Sequence, residues 1–223
     1  MILEVQAVAP FYKNGFVVAC ERTREAIVID PGDEVDELLA AVAAHDVQVQ
    51  YILLTHAHLD HVSGVDTAKA ALDVPIYLHQ DDLFLYQRVV QQGEMFGLTI
   101  RPQPPIDVFY DMTPIHFGDY EVRVHHTPGH CPGGVCLQID KKNERDGEGG
   151  NPTRLFVGDT LFAGSIGRTD LPGGDYAVLM QTITGVLFPL GDDAVVHPGH
   201  GPDTTIARER AGNPFVLEYL AGR

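Results

Sequence analysis

Apolar positions in the first third of the chain alternate between short runs typical of strands and one repeat typical of a helix. Residues 16–20 and 26–30 are short, apolar and rich in β-branched side chains, which predicts two strands. Asp30-Pro31-Gly32-Asp33 then predicts a turn. Apolar residues recur at helical spacing over 35–44, which predicts a helix, and Asp33 is placed to cap it.

The same mixture of patterns continues along the chain. Strands are predicted at 51–54, 75–78, 121–126, 135–139, 155–157 and 194–196, and helices at 66–72, 81–92 and 176–188. The proline-rich segment 93–111 predicts a surface loop, and the charged, glycine-rich segment 141–154 predicts a mobile hairpin tip. Strands mixed with helices indicate an α/β layered fold. We expect a single domain over 1–223 that ends in a short C-terminal tail, 201–223.

Composition restricts the function. The chain has 223 residues, 44% of them apolar, and its net charge is 15 − 31 = −16. This charge argues against nucleic-acid binding and against docking on an anionic membrane, since both need basic surface. The N-terminus lacks the pattern of a signal peptide, and three irregularly spaced cysteines do not form a disulfide framework. We therefore expect a cytoplasmic protein, as a monomer or small homo-oligomer.

A dense set of metal-binding side chains follows the predicted strand 51–54. Thr55-His56-Ala57-His58-Leu59-Asp60-His61 contains three histidines and a carboxylate. Such nitrogen and oxygen ligands are typical of zinc or iron sites, and core packing explains them poorly, because histidine and aspartate are mostly not core residues. His56 and His58 lie two residues apart, so an extended segment turns both toward one metal. Asp60 and His61 could serve a second ion about 3.5–4 Å away.

Three further ligand candidates each follow a predicted strand within a glycine-containing turn. They are His130, Asp159 and His200. Thr127-Pro128-Gly129-His130-Cys131-Pro132 also resembles His197-Pro198-Gly199-His200-Gly201-Pro202, and in both segments Pro-Gly turns the chain and presents a histidine. This echo fits a two-halved architecture with related edges at one site, although coincidence also explains two short segments.

These motifs together resemble the metallo-β-lactamase superfamily, and the resemblance covers nearly the whole chain. Residues 158–162, 164–170 and 198–205 resemble more narrowly the short bacterial hydrolases of the glyoxalase II type. The resemblance implies a four-layer αββα sandwich with a binuclear metal site at one edge of the sheets. It implies that the first metal is bound by His56, His58 and His130, that the second is bound by Asp60, His61 and His200, and that Asp159 bridges both.

The chain departs from the glyoxalase II pattern in two places. Glyoxalase II enzymes with a long helical C-terminal domain use it to hold glutathione, whereas only 23 residues follow His200 here. The family also often has a histidine where this chain has Gly134. Persulfide dioxygenases lack that histidine too. Both departures concern the substrate, and neither affects the ligand set.

The resemblance implies a hydrolase with two divalent ions. Zinc is favoured, and iron or manganese also suits His and Asp ligands. A hydroxide bridging the metals would attack the carbonyl of a small-molecule thioester such as lactoylglutathione, with Asp60 and Asp159 as the catalytic carboxylates. The alternatives are a mono-iron persulfide dioxygenase, a lactone or β-lactam hydrolase, and a non-catalytic metal-binding module. The lack of a secretion signal counts against a lactamase.

Other polar residues have weaker expectations. Arg168 and Tyr176 are candidates for substrate binding, Arg168 because substrates with carboxylates need a cation near the metals. A turn or cap role is favoured for Asp30 over support of the metal loop. Cys131 is expected to be an unreactive neighbour of His130. His45, His79 and His116 are expected at the surface, and support of a ligand is the less favoured interpretation of His126 and His197.

Overall fold

The computed structural model describes residues 1–111, 113–142 and 152–222. Its strands form two six-stranded sheets and a two-stranded ribbon. The first sheet contains, in spatial order, β1 (Ile2–Gln6), β2 (Gly15–Ala19), β3 (Glu25–Ile29), β4 (Gln48–Leu53), β5 (Ile76–Leu78) and β6 (Val108–Phe109). β1 to β3 are antiparallel neighbours, and β3 to β6 are parallel neighbours.

Five helices follow strands of the first sheet. They are α1 (Val35–Ala44), α2 (Leu59–Val62), α3 (Val65–Leu72), α4 (Leu83–Tyr86) and α5 (Val89–Met95). Parallel strands need crossover connections, and these helices provide them. The carboxyl ends of β3, β4 and β5 therefore meet at one edge of the sheet, where the metal-binding motif begins.

The second sheet has the order β14-β13-β10-β9-β8-β7. Its strands are β7 (Ile115–Phe117), β8 (Tyr120–His126), β9 (Val135–Lys141), β10 (Arg154–Gly158), β13 (Val195–Pro198) and β14 (Thr204–Thr205). β11 (Leu161–Phe162) and β12 (Ser165–Ile166) form the ribbon. The helices of this half are α6 (Tyr176–Thr182), α7 (Ile206–Gly212) and α8 (Pro214–Ala221). β10 and β13 are parallel, so their carboxyl ends also share one edge.

Three apolar cores separate four layers. In β2, Phe16 and Val18 face the second sheet, whereas Val17 and Ala19 face the helices α1 and α3. Alternating side chains of β10 do the same in the second sheet, because Phe156 packs between the sheets while Leu155 and Val157 pack against α6. Side chains buried on both faces explain why these strands are continuously apolar in sequence. The predicted α/β fold, a four-layer αββα sandwich, is confirmed.

Two local predictions in the first half are wrong. The α1 helix has the predicted bounds, but Asp33 does not cap it, because its Oδ1 accepts a hydrogen bond from Ser63 Oγ at 2.8 Å. The helix predicted at 81–92 is divided into a 3₁₀ turn, Gln80–Asp82, followed by α4 and α5. At the break between α4 and α5, the Gln92 side chain donates a hydrogen bond to the Leu85 carbonyl at 2.9 Å.

Further differences concern short or terminal elements in both halves of the chain. The predicted tail 201–223 contains β14, α7 and α8, and it packs into the outer core through Ile206 and Val216. The helix predicted at 176–188 is α-helical to Thr182 and continues as a π-helical turn, Ile183–Leu187. The predicted loop 93–111 contains the end of α5 and β6. Most of the predicted hairpin tip, residues 143–151, lies outside the described residues.

Helix lengths also bear on membrane insertion. Within the described ranges, no helix has both the length and the apolar character needed to cross a membrane.

The core between the two sheets should carry a large share of the stability. Phe156 is fully buried there and contacts the Phe16 ring with centroids 5.0 Å apart. Phe156→Ala is expected to lower the free energy of unfolding by about 3–5 kcal/mol, because it removes apolar contacts and leaves a cavity. Urea denaturation at fixed metal concentration measures this loss. Phe215→Ala, at a position 38% exposed, is the control and should cost much less. Equal losses for the two variants would contradict the assignment of the core.

Candidate metal centre

The metal-binding motif begins where β4 ends, in the middle of the first sheet. His56 is buried, and His58 is the last extended residue before the short helix α2. Asp60 and His61 lie in that helix, and His61 is fully buried. The change from strand to helix turns the second pair of side chains away from the first pair. The motif therefore offers two neighbouring sets of ligands, as the spacing predicts.

The first group of ligands consists of His56, His58 and His130, whose ligand atoms lie within 4.8 Å of one another. His130 is in the turn after β8, in the second sheet. His58 Nδ1 and His130 Nε2 are 2.7 Å apart, and the His56 ring centroid is 4.9 Å from each of the other two. Three imidazoles from both halves of the fold therefore converge on one point.

The second group consists of Asp60, His61 and His200, again with ligand atoms within 4.8 Å. His200 follows β13 and comes from the second sheet. Its Nε2 is 3.0 Å from Asp60 Oδ2, and His61 Nε2 is 3.7 Å from the same oxygen. This group has one carboxylate and two imidazoles, so it differs from the first group in charge.

Asp159 lies between the two groups. Its Oδ1 is 3.4 Å from His61 Nε2, whereas its Oδ2 is 3.7 Å from Nε2 of both His130 and His200. The two oxygens of one carboxylate thus face histidines of both groups. All seven side chains proposed as ligands are together in the structure, in the grouping that the resemblance implies.

Three buried atoms of this centre have no hydrogen-bond partner in the described structure: His56 Nε2, His61 Nε2 and Asp159 Oδ1. Buried polar atoms are nearly always paired, so three unpaired atoms at one place require an explanation. A metal ion accepts lone pairs from all three, and His with Asp ligands suits zinc, iron or manganese. The residues present therefore fit divalent metal ions. Binding of two ions at this centre stays a prediction.

The electrostatic environment keeps two ligands of the first group, His56 and His58, in their neutral form. Burial, reinforced by the neighbouring His130, lowers the pKa of His58 to about 3. Burial and the charge on His61 lower the pKa of His56 well below its ordinary value. Both imidazoles are thus neutral at pH 7, which is the form that binds a metal.

The carboxylates around the second group need a positive charge next to them. Burial disfavours a proton on His61, yet nearby carboxylates outweigh burial and raise its pKa to about 10; they belong to Asp60, Asp159 and Asp30. Burial also disfavours the Asp159 carboxylate, but His61 and the other histidines lower the pKa of Asp159 below its usual range. These carboxylates are stable only beside a cation, which is either the His61 imidazolium or a bound metal.

Asp30 supports the metal loop, contrary to the favoured prediction of a simple turn role. It is buried with φ 50°, a left-handed conformation that aspartate tolerates. Its Oδ1 accepts from Thr55 N at 2.7 Å, and its Oδ2 accepts from Thr55 Oγ1 at 2.6 Å and from His61 Nδ1 at 2.9 Å. The last bond fixes the His61 tautomer and directs Nε2 to the centre.

Sequence reasoning missed Asp82, which ties two ligand loops together. It is fully buried, and its Oδ2 accepts from Ala57 N at 2.9 Å while its Oδ1 accepts from Gly133 N at 2.6 Å. Cys131 Sγ donates to Asp82 Oδ2 at 3.2 Å, and burial raises the pKa of this thiol well above its ordinary value. No local pattern around Asp82 distinguishes it from a surface helix residue, so the sequence carries no clear signal for this role.

Sequence reasoning also missed Lys13 and Asn14. Their side chains hold the turn of Asp30 and the turn of His200. The buried Lys13 ammonium donates to the Asp30 carbonyl and to the Glu34 carboxylate. Asn14 Nδ2 donates to the carbonyls of Pro198, at 3.0 Å, and Gly201, at 2.8 Å, and thereby fixes the turn of His200. The β1–β2 connection is therefore part of the centre's support.

Glycine is required where the chain turns beneath Asp159. Gly158 has φ 50°, and a Cβ at Gly199 would collide with the Asp159 carboxylate and the His61 ring. The Gly-Asp and Pro-Gly-His segments therefore let two adjacent parallel strands, β10 and β13, end with their ligands in contact.

The histidines considered as possible supports have other partners. His126 Nε2 is 2.7 Å from the carbonyl of Pro132, within the turn of His130. His197 is buried, donates from Nδ1 to Asp203 at 2.9 Å and stacks on Phe156. His126 therefore supports a ligand turn indirectly, and His197 belongs to the core and its edge.

The two residues proposed for substrate binding lie near the second sheet's loops. The Arg168 carbonyl is 2.7 Å from His130 Nδ1, so its backbone orients a ligand. Its guanidinium is exposed and donates to Asp170 through Nε and Nη2, both at 2.7 Å. Tyr176 begins α6 and is 42% exposed. Substrate binding by either side chain stays a prediction.

Comparison with known proteins identifies a family and a relative that covers nearly the full length of the chain. A family model described as the metallo-beta-lactamase superfamily matches residues 8–144. Hydroxyacylglutathione hydrolase GloC of Haemophilus influenzae is 34% identical over 225 residues, which cover 97% of this chain and 98% of that protein.

Two solved structures resemble nearly the whole chain. The crystal structure of the BLEG-1 B3 metallo-beta-lactamase has a TM-score of 0.84 and 32% sequence identity, covering 96% of this chain and 99% of that chain. The crystal structure of TTHA1623 in a di-iron-bound form has a TM-score of 0.81 and 38% identity, covering 95% of this chain and 99% of that chain.

The position of Asp159 predicts a change in metal content. The purified protein should contain about two divalent ions per chain, and Asp159→Ala should contain about one or fewer, because each group loses a shared oxygen. Elemental analysis after removal of loosely bound metal measures this. Asp36→Ala, which changes an exposed carboxylate of α1, is the control and should keep the parent's content. Full metal occupancy in Asp159→Ala would exclude the bridging role.

Proposed function

The chain belongs to the metallo-β-lactamase superfamily, and we propose that it is a metallo-hydrolase that cleaves glutathione thioesters with two divalent metal ions. The observation that carries the binuclear part is the pair of ligand groups that share Asp159. The thioester part rests on the 34% identity to a hydroxyacylglutathione hydrolase over nearly the full length of both chains.

Each ligand has a defined part in this proposal. The first ion would be held by His56, His58 and His130, and the second by Asp60, His61 and His200, with Asp159 shared. Two bound ions would supply an acidified water between them and would polarise the thioester carbonyl. A relative crystallised with two irons supports two ions, and zinc suits the same ligands.

Side chains of the protein would accept and release the proton of the attacking water. Asp60 is partly exposed, and its Oδ2 lies 3.0 Å from His200 Nε2. Asp60 would orient the attacking water and accept its proton at the carboxylate, then release it to solvent. Asp30 would keep His61 Nδ1 protonated through their 2.9 Å hydrogen bond, so that Nε2 remains a ligand.

A covalent acyl-enzyme is not part of this proposal. Cys131 is the cysteine nearest to the ligands, but it is fully buried, and burial raises the pKa of its thiol well above the ordinary value. A protonated, buried thiol is a poor nucleophile. Hydrolysis by direct attack of water is therefore the step that fits the site.

A second candidate function is β-lactam hydrolysis. It is favoured by the 32% identity and the TM-score of 0.84 to a B3 metallo-beta-lactamase over 99% of that chain. Both reactions need an activated water and a polarised carbonyl, so the metal centre alone does not distinguish them. The groups around the metals would decide the substrate.

Assays with three substrates separate the candidate functions. Protein of measured metal content should release thiol from lactoylglutathione, and Asp159→Ala should lower the rate by about a hundredfold or more. Hydrolysis of a chromogenic cephalosporin tests the lactamase alternative, and oxygen uptake with glutathione persulfide tests a dioxygenase. Rapid oxygen uptake without thioester hydrolysis, in protein containing one iron, would overturn the proposal.

Arg168 provides a test of substrate recognition. Glutathione thioesters carry carboxylates, and the backbone of Arg168 lies against the ligand His130, so we expect the Arg168 guanidinium to bind substrate and to affect the Michaelis constant. Arg168→Ala should raise this constant by about three- to tenfold with a smaller effect on kcat, because the arginine is exposed and already paired with Asp170.

The matched control is Arg22→Ala. Arg22 is also exposed and also binds one carboxylate, Asp119, through Nε and Nη2, but it lies in the turn between β2 and β3 at the far end of the first sheet. Arg22→Ala should leave kcat and the Michaelis constant unchanged. Normal substrate binding in Arg168→Ala would mean that Arg168 acts only through its carbonyl on His130.

A further inference from the structure

A separate cluster of side chains that can bind a metal lies outside the binuclear centre described above. His79, Asp81 and His126 each offer one ligand atom, and these atoms lie within 4.8 Å of one another. His79 follows β5 of the first sheet, and His126 is the last residue of β8 in the second sheet. We propose that these three residues form a surface site for a divalent transition metal, such as zinc or nickel, that links the two sheets.

His126 is arranged as metal-binding histidines usually are. Its Nε2 lies 2.7 Å from the Pro132 carbonyl, so Nε2 carries the proton and donates, and Nδ1 keeps a lone pair. His130 in the main centre has the same design, because its Nδ1 is bound to a carbonyl at 2.7 Å while Nε2 faces Asp159. A carbonyl that holds one ring nitrogen orients the other for a metal.

His79 completes the pair of imidazoles. Its ring stacks on His126 with centroids 4.1 Å apart and planes at 9°, so the two imidazoles are in contact, and the rings would rotate to bring both in-plane lone pairs to one ion. His79 Nδ1 lies 3.8 Å from Asp81 Oδ2 and accepts a hydrogen bond from Asp81 N at 3.2 Å. A metal would replace this long hydrogen bond and would draw the carboxylate and the imidazole together.

The ligand types identify the class of metal. Two imidazoles with one carboxylate suit zinc, nickel or copper, whereas calcium and magnesium prefer sites made of oxygens. Asp81 is 58% exposed at its side chain, which leaves room for water to complete the coordination. The net charge of −16 also raises the local concentration of cations at the surface.

A metal at this site would act as a cross-link between the halves of the fold. His79 and His126 are far apart in sequence and belong to different sheets. Asp82, the residue after Asp81, is the buried carboxylate that accepts hydrogen bonds from Ala57 N and Gly133 N in the two ligand loops. Binding to the folded chain alone would stabilise it by mass action, so the melting temperature should rise with metal concentration.

Equilibrium dialysis of the protein, with its main centre loaded, tests the proposal with zinc as the probe. Elemental analysis across a range of free zinc should show one saturable equivalent beyond the content of the main centre. His126→Ala should weaken binding of that equivalent by at least about tenfold, and Asp81→Asn should weaken it as well. Zinc should raise the melting temperature of the parent more than that of either variant.

The controls separate this site from the main centre and from surface histidines in general. His116→Ala changes a 50% exposed histidine near one carboxylate, Glu121, and should leave the extra equivalent unchanged. Asp159→Ala should lower the main content and keep the extra equivalent. The proposal fails if the parent binds no extra zinc, or if Asp81→Asn and a folded His126→Ala bind it as tightly as the parent.

Discussion

The carboxylate of Asp159 lies next to histidines from three separate segments of the chain, and the metal centre depends on this contact. Its Oδ1 faces His61, which comes from the first sheet, and its Oδ2 faces His130 and His200, which come from the second. A carboxylate buried at this place is stable only when positive charge lies next to it. The two sheets must therefore end at one edge, and their final turns must be fixed, for the seven side chains to meet.

Buried polar side chains fix those turns. Asp30 holds the strand end at Thr55 and the ring of His61, while Asp82 holds the backbone of two ligand loops, at Ala57 and Gly133. The buried Lys13 ammonium holds the Asp30 carbonyl in turn. Each of these groups costs free energy to bury, and the hydrogen bonds it makes offset that cost only when every partner is in place. The same bonds keep the ligands oriented, so stability and metal binding rest on one network.

The sequence predicted the parts of this molecule that have a local pattern. Continuous apolar strands, the bounds of α1 and the cluster of histidines after β4 are visible because their periodicity or density is unusual. The grouping of the seven ligands came from the resemblance to a family, and the structure places the side chains accordingly. The helix break after Tyr86, the role of Asp82 and that of Lys13 depend on side-chain contacts that no local pattern records. The same reason explains why Asp30 was assigned to a turn: its conformation is that of a turn, and its side-chain partners are 25 and 31 residues away.

The proposed hydrolase activity and the shared role of Asp159 both depend on a binuclear centre. The most direct measurement is anomalous diffraction at the absorption edge of the bound metal, on crystals of protein prepared without added metal. We expect two anomalous peaks about 3.5–4 Å apart, with Asp159 between them. One should lie beside His56, His58 and His130, and the other beside Asp60, His61 and His200. A single peak at the first group, with the second group free of metal, would contradict this expectation.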